Sequence, residues 1–303
     1  MTEKYVTYET LDDGKIARIT LNRVQSRNAQ NRGLLVELGD AFLKAEADDQ
    51  VRVVILCGAG PLFSSGHDMG SKEAVAERTP GDPLFHSSWA TNGGTRKGAE
   101  QRMLQEWHYY FQNTLRWRNL RKITIAQVHG TVYAAGLMLM WACDLIVAAE
   151  GTTFADVVGA RLGMCGLEYF AHPWEFGPRK AKELLLTGDS IDVHEAHQLG
   201  MVSKVFPVDE LADQTLAFAR RIARTTTVAA LLIKESVNQS VDNMGFYNAL
   251  NACFTLHQVN HAHWAEVNEN HYPVGSPQFG VVPWHEAPPV MPAVKDKVEA
   301  PSG

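Results

Sequence analysis

The pattern of apolar and polar positions divides the chain into three stretches. Short β-rich runs dominate the first, beginning with Tyr5 to Thr10 and Ile16 to Leu21, which flank Asp12-Asp13-Gly14 and predict a hairpin. Leu34, Leu35, Leu38, Ala41 and Phe42 then recur at helical spacing, and Val51 to Cys57 carries β-branched residues on both faces, as a strand covered on both sides does. Strand, helix, strand predicts a βαβ unit. Further strands are predicted at Ile123 to His129, Asp144 to Ala149, Thr152 to Asp156 and Val202 to Phe206. Helices are predicted over Gln101 to Trp117, Arg179 to Leu186 and His194 to Leu199. Leu167 to Phe170 reads as a turn entering another helix, with Glu168 in its first turn. Residues 71–98 have little periodicity and read as a long irregular excursion, a kind of loop that is usually functional or mobile.

From Asp209 to about Glu269 helical spacing takes over, and from Tyr272 prolines recur through Pro273, Pro277, Pro283, Pro288, Pro289, Pro292 and Pro301, predicting an extended or disordered tail. The expected organisation is a core over 1–207, a helical region over 208–270 and a tail over 271–303.

Composition narrows the classes. With 303 residues and 45% hydrophobic content the chain can bury a sizeable core. A formal charge of −6 without any Lys/Arg run argues against nucleic acid or an anionic membrane as the main partner. The apolar run Leu137 to Cys143 is far shorter than the roughly 20 residues that span a bilayer. Met1 to Tyr5 does not resemble the start of a secretory leader, so the expected compartment is the cytoplasm. Cys57, Cys143, Cys165 and Cys253 are scattered, without a CxxC pair, and read as buried free thiols.

Two small-residue turns carry the candidate chemistry. One follows the strand ending at His129 and opens a helix through Ala134-Ala135-Gly136; the other is Phe63 to Gly70 after the strand ending at Cys57. A strand feeding a helix through residues with almost no side chain bares N–H groups at the positive end of a helix dipole, which suits an anion or oxyanion. Close packing of helix on sheet would explain the same residues.

Four separated motifs then line up: Leu21-Asn22-Arg23 with Asn28-Ala29; Phe63 to Asp68; Gly130 through Ala135-Gly136 to Asp144; and Leu186 to Asp189 with Glu195-Ala196 and Leu199 to Val202. In order and spacing they resemble the crotonase superfamily, the enoyl-CoA hydratase/isomerase proteins. The resemblance covers Tyr5 to Asn238 and fades beyond it, where the family's EG…AF…KR pattern is missing. It implies an α/β fold, a crotonase-like spiral of repeated ββα units with a C-terminal helical region, assembled as a homotrimer or a dimer of trimers. It also implies an acyl-CoA thioester as ligand, coenzyme A being part of the substrate and no further cofactor being needed. Carried over by motif, the thioester oxygen would sit between the backbone amides of His67 and Ala135, with Ser65, Gly66, Asp68, Gly136 and Met138 around the substrate. Ser26, Arg27 and Ala29 would meet the nucleotide end of CoA, Arg27 as a phosphate or adenine contact.

The sequence also departs from that family at the proton-transferring positions. Its hydratases position water with two glutamates; the first position falls here at Met138 and the second at Val157 or Val158, none of which can transfer a proton. Glu168 is the leading substitute, with Asp156, Glu175 and His172 as weaker ones. The His67 side chain is a further base, although the motif uses only its backbone. Asp68 and Asp156 also read as caps, His172 as a packed, hydrogen-bonded histidine, and Lys234 as a surface lysine with a weak CoA-side contact. His257 and His261 share a helix face, but with no Cys nearby and Glu266 on another face they read as solvated or interfacial, and no metal is assigned. With one acid instead of two, double-bond isomerisation by a single shuttling group is easier to support than water addition. The excursion with Trp89, Trp107 and Tyr110 predicts a pocket unlike that for short straight acyl chains. Two rivals remain: a crotonase-fold protein that binds acyl-CoA without catalysis, and a structural oligomer component without CoA affinity.

Overall fold

The computed structural model describes residues 4–77, 89–94, 96 and 98–267, with Trp89 and Arg161 described by backbone alone. Its opening hairpin, β1 (Val6–Leu11) with β2 (Ile16–Leu21), turns through Asp12, Asp13 and Gly14, all at positive φ. From β2 onward the main sheet is parallel: β2 pairs with β3 (Val53–Gly58), β3 with β4 (Ile123–Val128), β4 with β6 (Leu145–Ala149) and β6 with β9 (Lys204–Phe206). The long sequence separations between these neighbours are filled by helices, as parallel pairing requires. Early in the chain these are α1 (Arg32–Ala47), α2 (Lys72–Glu77), α3 (Trp89–Asn92), α4 (Gly98–Gln105) and α5 (Asn113–Arg118). A π-helical stretch, Glu106–Gln112, joins α4 to α5 in one continuous run.

A second, small sheet runs alongside. In it β5 (Thr131–Tyr133) pairs in parallel with β7 (Thr153–Ala155), and β7 pairs antiparallel with β8 (Ile191–Asp192). The repeat is now visible. β4 enters the main sheet, β5 the small one, and α6 (Ala135–Trp141) follows; β6, β7 and α7 (Val158–Leu162) do the same. Two earlier turns of the spiral are reduced to single-residue bridges, Ser64 with Val132 and Gln30 with His67. The expected ββα spiral is therefore present, with its second strands shrunk almost to points. Short helices α8 (His172–Phe176), α9 (Pro178–Thr187) and α10 (Val193–Gln198) complete this layer, and α11 (Leu211–Ala223), α12 (Thr227–Asn243) and α13 (Phe246–Val267) occupy the helical stretch read from the sequence.

Alternation along the strands sorts the core. Ile16, Val53, Ile55, Ile125 and Val147 point one way and pack beneath Leu211 and Ala219 of α11. Ala17, Ile19, Leu21, Val54, Leu56, Ala126 and Val128 point the other way, into the larger core that α1, α6 and α13 cover. Period-two burial on both faces is the physical content of the β-branched runs seen in the sequence. Among the described residues, no helix is long and apolar enough to cross a membrane.

Several expectations need correction. Glu168 does not lie in a helix; Leu167–Ala171 is irregular and α8 begins at His172, with proline at its first turn. Gly166 at φ +124, where an added Cβ would lie 2.7 Å from the Phe170 ring, folds the chain back before a helix can start. Lys234 is not on the surface: it is buried, donating to the Lys122 carbonyl at 3.0 Å and to Asp144 Oδ2 at 3.0 Å. Cys165 is exposed, whereas Cys57 and Cys143 are buried as expected; all four thiols are free. The Pro-rich tail and most of the excursion's middle, 78–88, lie outside the described residues.

The polar connection after β2 explains why its residues are what they are. Arg27 and Asn28 both sit in the left-handed region, at φ +54 and +51. Buried Asn28 accepts from the Arg23 N–H and donates to the carbonyls of Ala59, Leu62 and Phe63, stitching this connection to the loop that leads to Ser64. Replacing Asn28 by Ala leaves several buried carbonyls without a donor. The expected loss is about 2–3 kcal/mol in urea unfolding; a loss below about 0.5 kcal/mol would show that the stitch is not structural.

Candidate functional site

The two small-residue turns meet. A Cβ added to Gly66 would lie 2.8 Å from Ala134 Cβ and 3.2 Å from Ala135 N; one added to Gly136 would lie 2.7 Å from the Ser64 carbonyl oxygen. No side chain fits between the two segments. Gly66 takes φ +102 and Ala134 φ +48, so both turns hold backbone conformations that L side chains rarely adopt. Ser64, fully buried, pins this meeting: its hydroxyl donates to the Asn28 carbonyl at 2.9 Å and accepts from the Gly66 N–H at 3.3 Å.

The bridges decide where the amides point. Gln30 donates to the Gly66 carbonyl and accepts from the Asp68 N–H, so the N–H of His67, between them, faces away from Gln30. Ala135 is the first residue of α6, and its N–H has no carbonyl one turn earlier to bond. Ala134 N–H is itself taken by the Ala155 carbonyl at 2.8 Å, which ties this turn to β7. Two outward amides on adjoining segments, one at a helix N-terminus, can hold an oxygen on which negative charge develops.

Around this pair the other sequence-selected residues fall in different places. Ala29 and Gly136 are buried, Ser26 and Ser65 are half-buried, and Arg27 is exposed beside them; the Arg27 carbonyl accepts from the Ser65 N–H at 3.1 Å. Met138, one turn into α6, is buried and presents only a thioether. Asp68 is held by its neighbours: Oδ2 pairs with buried Arg23, and Oδ1 accepts from the Gly70 and Ser71 N–H groups. Burial opposes its ionisation, but Ser71, Arg23 and Gly70 together outweigh that and hold its carboxyl below the usual range. Asp68 is thus committed to shaping the turn behind His67.

The side chain of His67 makes the contact that sequence reading missed. Its Nε2 lies 3.2 Å from Glu168 Oε2, and its ring stacks on Tyr110 at 3.7 Å between centroids. Its Nδ1 is buried with no hydrogen-bond partner among the described residues. Glu168 is 4% exposed. Burial disfavours its charge, yet His67, by charge and hydrogen bond, and then His257 outweigh both that and the repulsion of Glu106, so its carboxyl ionises below the ordinary range. An ionised carboxylate only accepts, so in the neutral form of the ring it takes the Nε2 proton of His67 and the lone pair lies on Nδ1. Tyr110, read as part of the excursion's pocket wall, is the platform under this imidazole; Trp107 is exposed.

A second buried cluster adjoins the first. His257 and His261 on α13 are 3% and 5% exposed within the chain itself, against the solvated or interfacial role read from the sequence, and Glu106 of the π-helical stretch stands against them. His261 Nε2 lies 3.0 Å from Glu106 Oε1, and His257 Nε2 lies 3.7 Å from Glu168 Oε1. The sequence spacing put both histidines on one helix face; what it could not give were acidic partners from other parts of the chain. Asp156 and His172 form a third pair at 3.0 Å, buried below α6 against Trp141, while Asp156 Oδ1 caps the Val158 N–H. Half-buried Glu175 makes no part of these pairs, and burial pushes its carboxyl up to about 7.

Comparison with known proteins adds the family. The enoyl-CoA hydratase/isomerase family model matches residues 12–83 and 78–270. EchA13 of Mycobacterium tuberculosis, named as a candidate enoyl-CoA hydratase, is 66% identical over 294 residues, covering 97% of this chain and 92% of its own. A crystal structure described as a probable enoyl-CoA hydratase from Mycobacterium thermoresistibile superposes with a TM-score of 0.76 at 39% identity, covering 88% of this chain and 100% of that one. An enoyl-CoA hydratase/isomerase structure from Xanthobacter autotrophicus Py2 gives 0.72 at 29% identity, over 88% and 94% of the two chains.

The close approach of the two turns has a direct test. Gly136→Ala forces a methyl against the Ser64 carbonyl and is expected to cost about 1–3 kcal/mol of stability. Gly70→Ala, at an exposed position where an added Cβ has nothing within 4 Å, is expected to stay within about 0.5 kcal/mol. Equal melting temperatures for the two variants would mean that the turns do not touch.

Proposed function

The chain belongs to the enoyl-CoA hydratase/isomerase family, and we propose that it acts on an acyl-CoA thioester through an enolate, with His67 moving the proton. The thioester oxygen accepts hydrogen bonds from the His67 and Ala135 amides, which hold it most tightly when the α-proton has left and charge has moved onto oxygen. The observation that carries this reading is the buried, unpartnered Nδ1 of His67, with Nε2 of the same ring held by Glu168. Nδ1 is the ring nitrogen nearer the main chain, so base and oxyanion donor come from one residue. Glu168 fixes the tautomer and stabilises the imidazolium that forms, as a carboxylate behind a catalytic histidine does.

Met138 and the valines at 157 and 158 offer no second acid, so the chemistry favours one shuttling group. A proton taken from one carbon and returned to another shifts a double bond; adding water needs a base and an acid together. Arg27, exposed beside Ser26 and Ala29, is positioned for the phosphates of CoA. A homotrimer or dimer of trimers and a cytoplasmic location complete the reading. Leu232, Ile233 and Val237 on α12 and Leu256 and Val259 on α13 are exposed, an apolar surface of the kind that subunits cover.

Incubation with a panel of acyl-CoA thioesters in deuterated water tests this by mass spectrometry. Deuterium is expected at the α-carbon. His67→Gln is expected to slow exchange by about 10²–10⁴-fold, with Glu168→Gln slowing it by at least about tenfold. A folded His67→Gln protein that binds the thioester and exchanges at the wild-type rate would remove His67 from the chemistry.

A further inference from the structure

The buried cluster of Glu106, His257 and His261 plays no part in the proton transfer just described. Its donor atoms all lie within 4.8 Å of one another, and all three residues are buried. His261 Nε2 is 3.0 Å from Glu106 Oε1 and also 3.0 Å from His257 Nε2. A single hydrogen on that nitrogen can serve only one of these neighbours. His257 Nδ1 is 2.9 Å from the Gly166 carbonyl, which only accepts, so Nδ1 carries the proton and Nε2 of a neutral His257 presents its lone pair to the cluster.

We propose that Glu106, His257 and His261 form a binding site for a divalent first-row transition metal of the zinc class. Two tetrahedral ligands each about 2.1 Å from an ion stand about 3.4 Å apart, and the spacings of 3.0, 3.0 and 3.6 Å among His261 Nε2, Glu106 and His257 Nε2 bracket that value. An ion takes the lone pairs of both Nε2 atoms at once and removes the conflict over one hydrogen. The Gly166 carbonyl fixes the ring of His257 in the manner of the outer hydrogen bond that metal-ligating histidines make. Among the described residues His261 Nδ1 has no partner, so the orientation of that ring rests on Nε2 and on packing.

The protein presents these donors by two means. His257 and His261 stand one turn apart on α13, so both project from one face. Glu106 opens a π-helical stretch, a rare geometry found mostly at functional sites, which re-aims side chains from a helix. Charge points the same way. Glu106 Oε2 and Glu168 Oε1 lie 3.6 and 3.7 Å from the same His257 Nε2, so two buried carboxylates converge where a dication would balance them. Two imidazoles and a carboxylate suit zinc, iron, cobalt or nickel, and are a poor match to the oxygen-only sets of magnesium or calcium.

The test needs no substrate, so its failure is distinct from failure of the acyl-CoA reading. Tag-free full-length protein is saturated with zinc, passed through a desalting column and assayed for metal; cobalt(II) is then added to the metal-free protein. About one equivalent of zinc is expected to remain, and cobalt is expected to give the intense visible bands of four- or five-coordination. His261→Gln and Glu106→Gln are expected to weaken binding by at least about 100-fold. Wild-type protein that retains no zinc, or gives only the pale spectrum of hydrated cobalt, overturns the site whether or not the variants fold. So does retention equal in wild type and in either folded variant.

Discussion

Contact between two backbone turns is the constraint on which the rest of the structure depends. Gly66 meets Ala134 and Ala135, and Gly136 meets Ser64, at distances that leave no room for a Cβ. Such an approach brings together two segments almost 70 residues apart, one of them at the start of a helix. Everything near it serves the same end. Ser64 and Asn28 tie the first turn to the connection after β2, Arg23 and Asp68 brace it from behind, and the Ala155 carbonyl holds the second. The strained φ of Ala134 persists because these bonds over-determine it.

From that meeting the chemistry follows with few additions. In the proposed chemistry a donor pair alone would only bind an oxygen; His67 adds a ring nitrogen with no partner among the described residues, and Glu168 holds the other. Tyr110 fixes the plane of the ring by stacking on it. Glu168 in turn stays ionised in a buried position because histidines surround it, His67 on one side and His257 on the other. The same histidine, His257, links the His67–Glu168 pair to the cluster with Glu106 and His261. The two sites are therefore neighbours in one buried polar layer between α13, the π-helical stretch and the irregular segment that carries Glu168.

Much of the fold was legible in the sequence because its signals are local. Val51 to Cys57 reads as a doubly covered strand, Asp12-Asp13-Gly14 as a turn, and the small residues at 66 and 134–136 as places where backbone is bared. Motif spacing added the spiral and the family. What stayed hidden depends on contacts between distant positions. His67 and Glu168 are 101 residues apart, and nothing in either neighbourhood announces the other. Glu168 read as helical because Leu167 to Phe170 follows a glycine turn, yet the return forced by Gly166 and the helix start set by His172-Pro173 leave it in irregular chain. Lys234 read as exposed because its partners, the Lys122 carbonyl and Asp144, stand 112 and 90 residues away along the chain. His257 and His261 showed their common face but not the acids that bury them.

The central claim is that the amides of His67 and Ala135 hold one oxygen between them. The infrared carbonyl stretch of an acyl-CoA thioester labelled with carbon-13 at that carbonyl measures it most directly. Bound to the protein, the stretch is expected to fall well below its frequency in water, because two preorganised donors polarise the bond more than solvent does. A bound thioester whose carbonyl absorbs where the free one does would contradict the account.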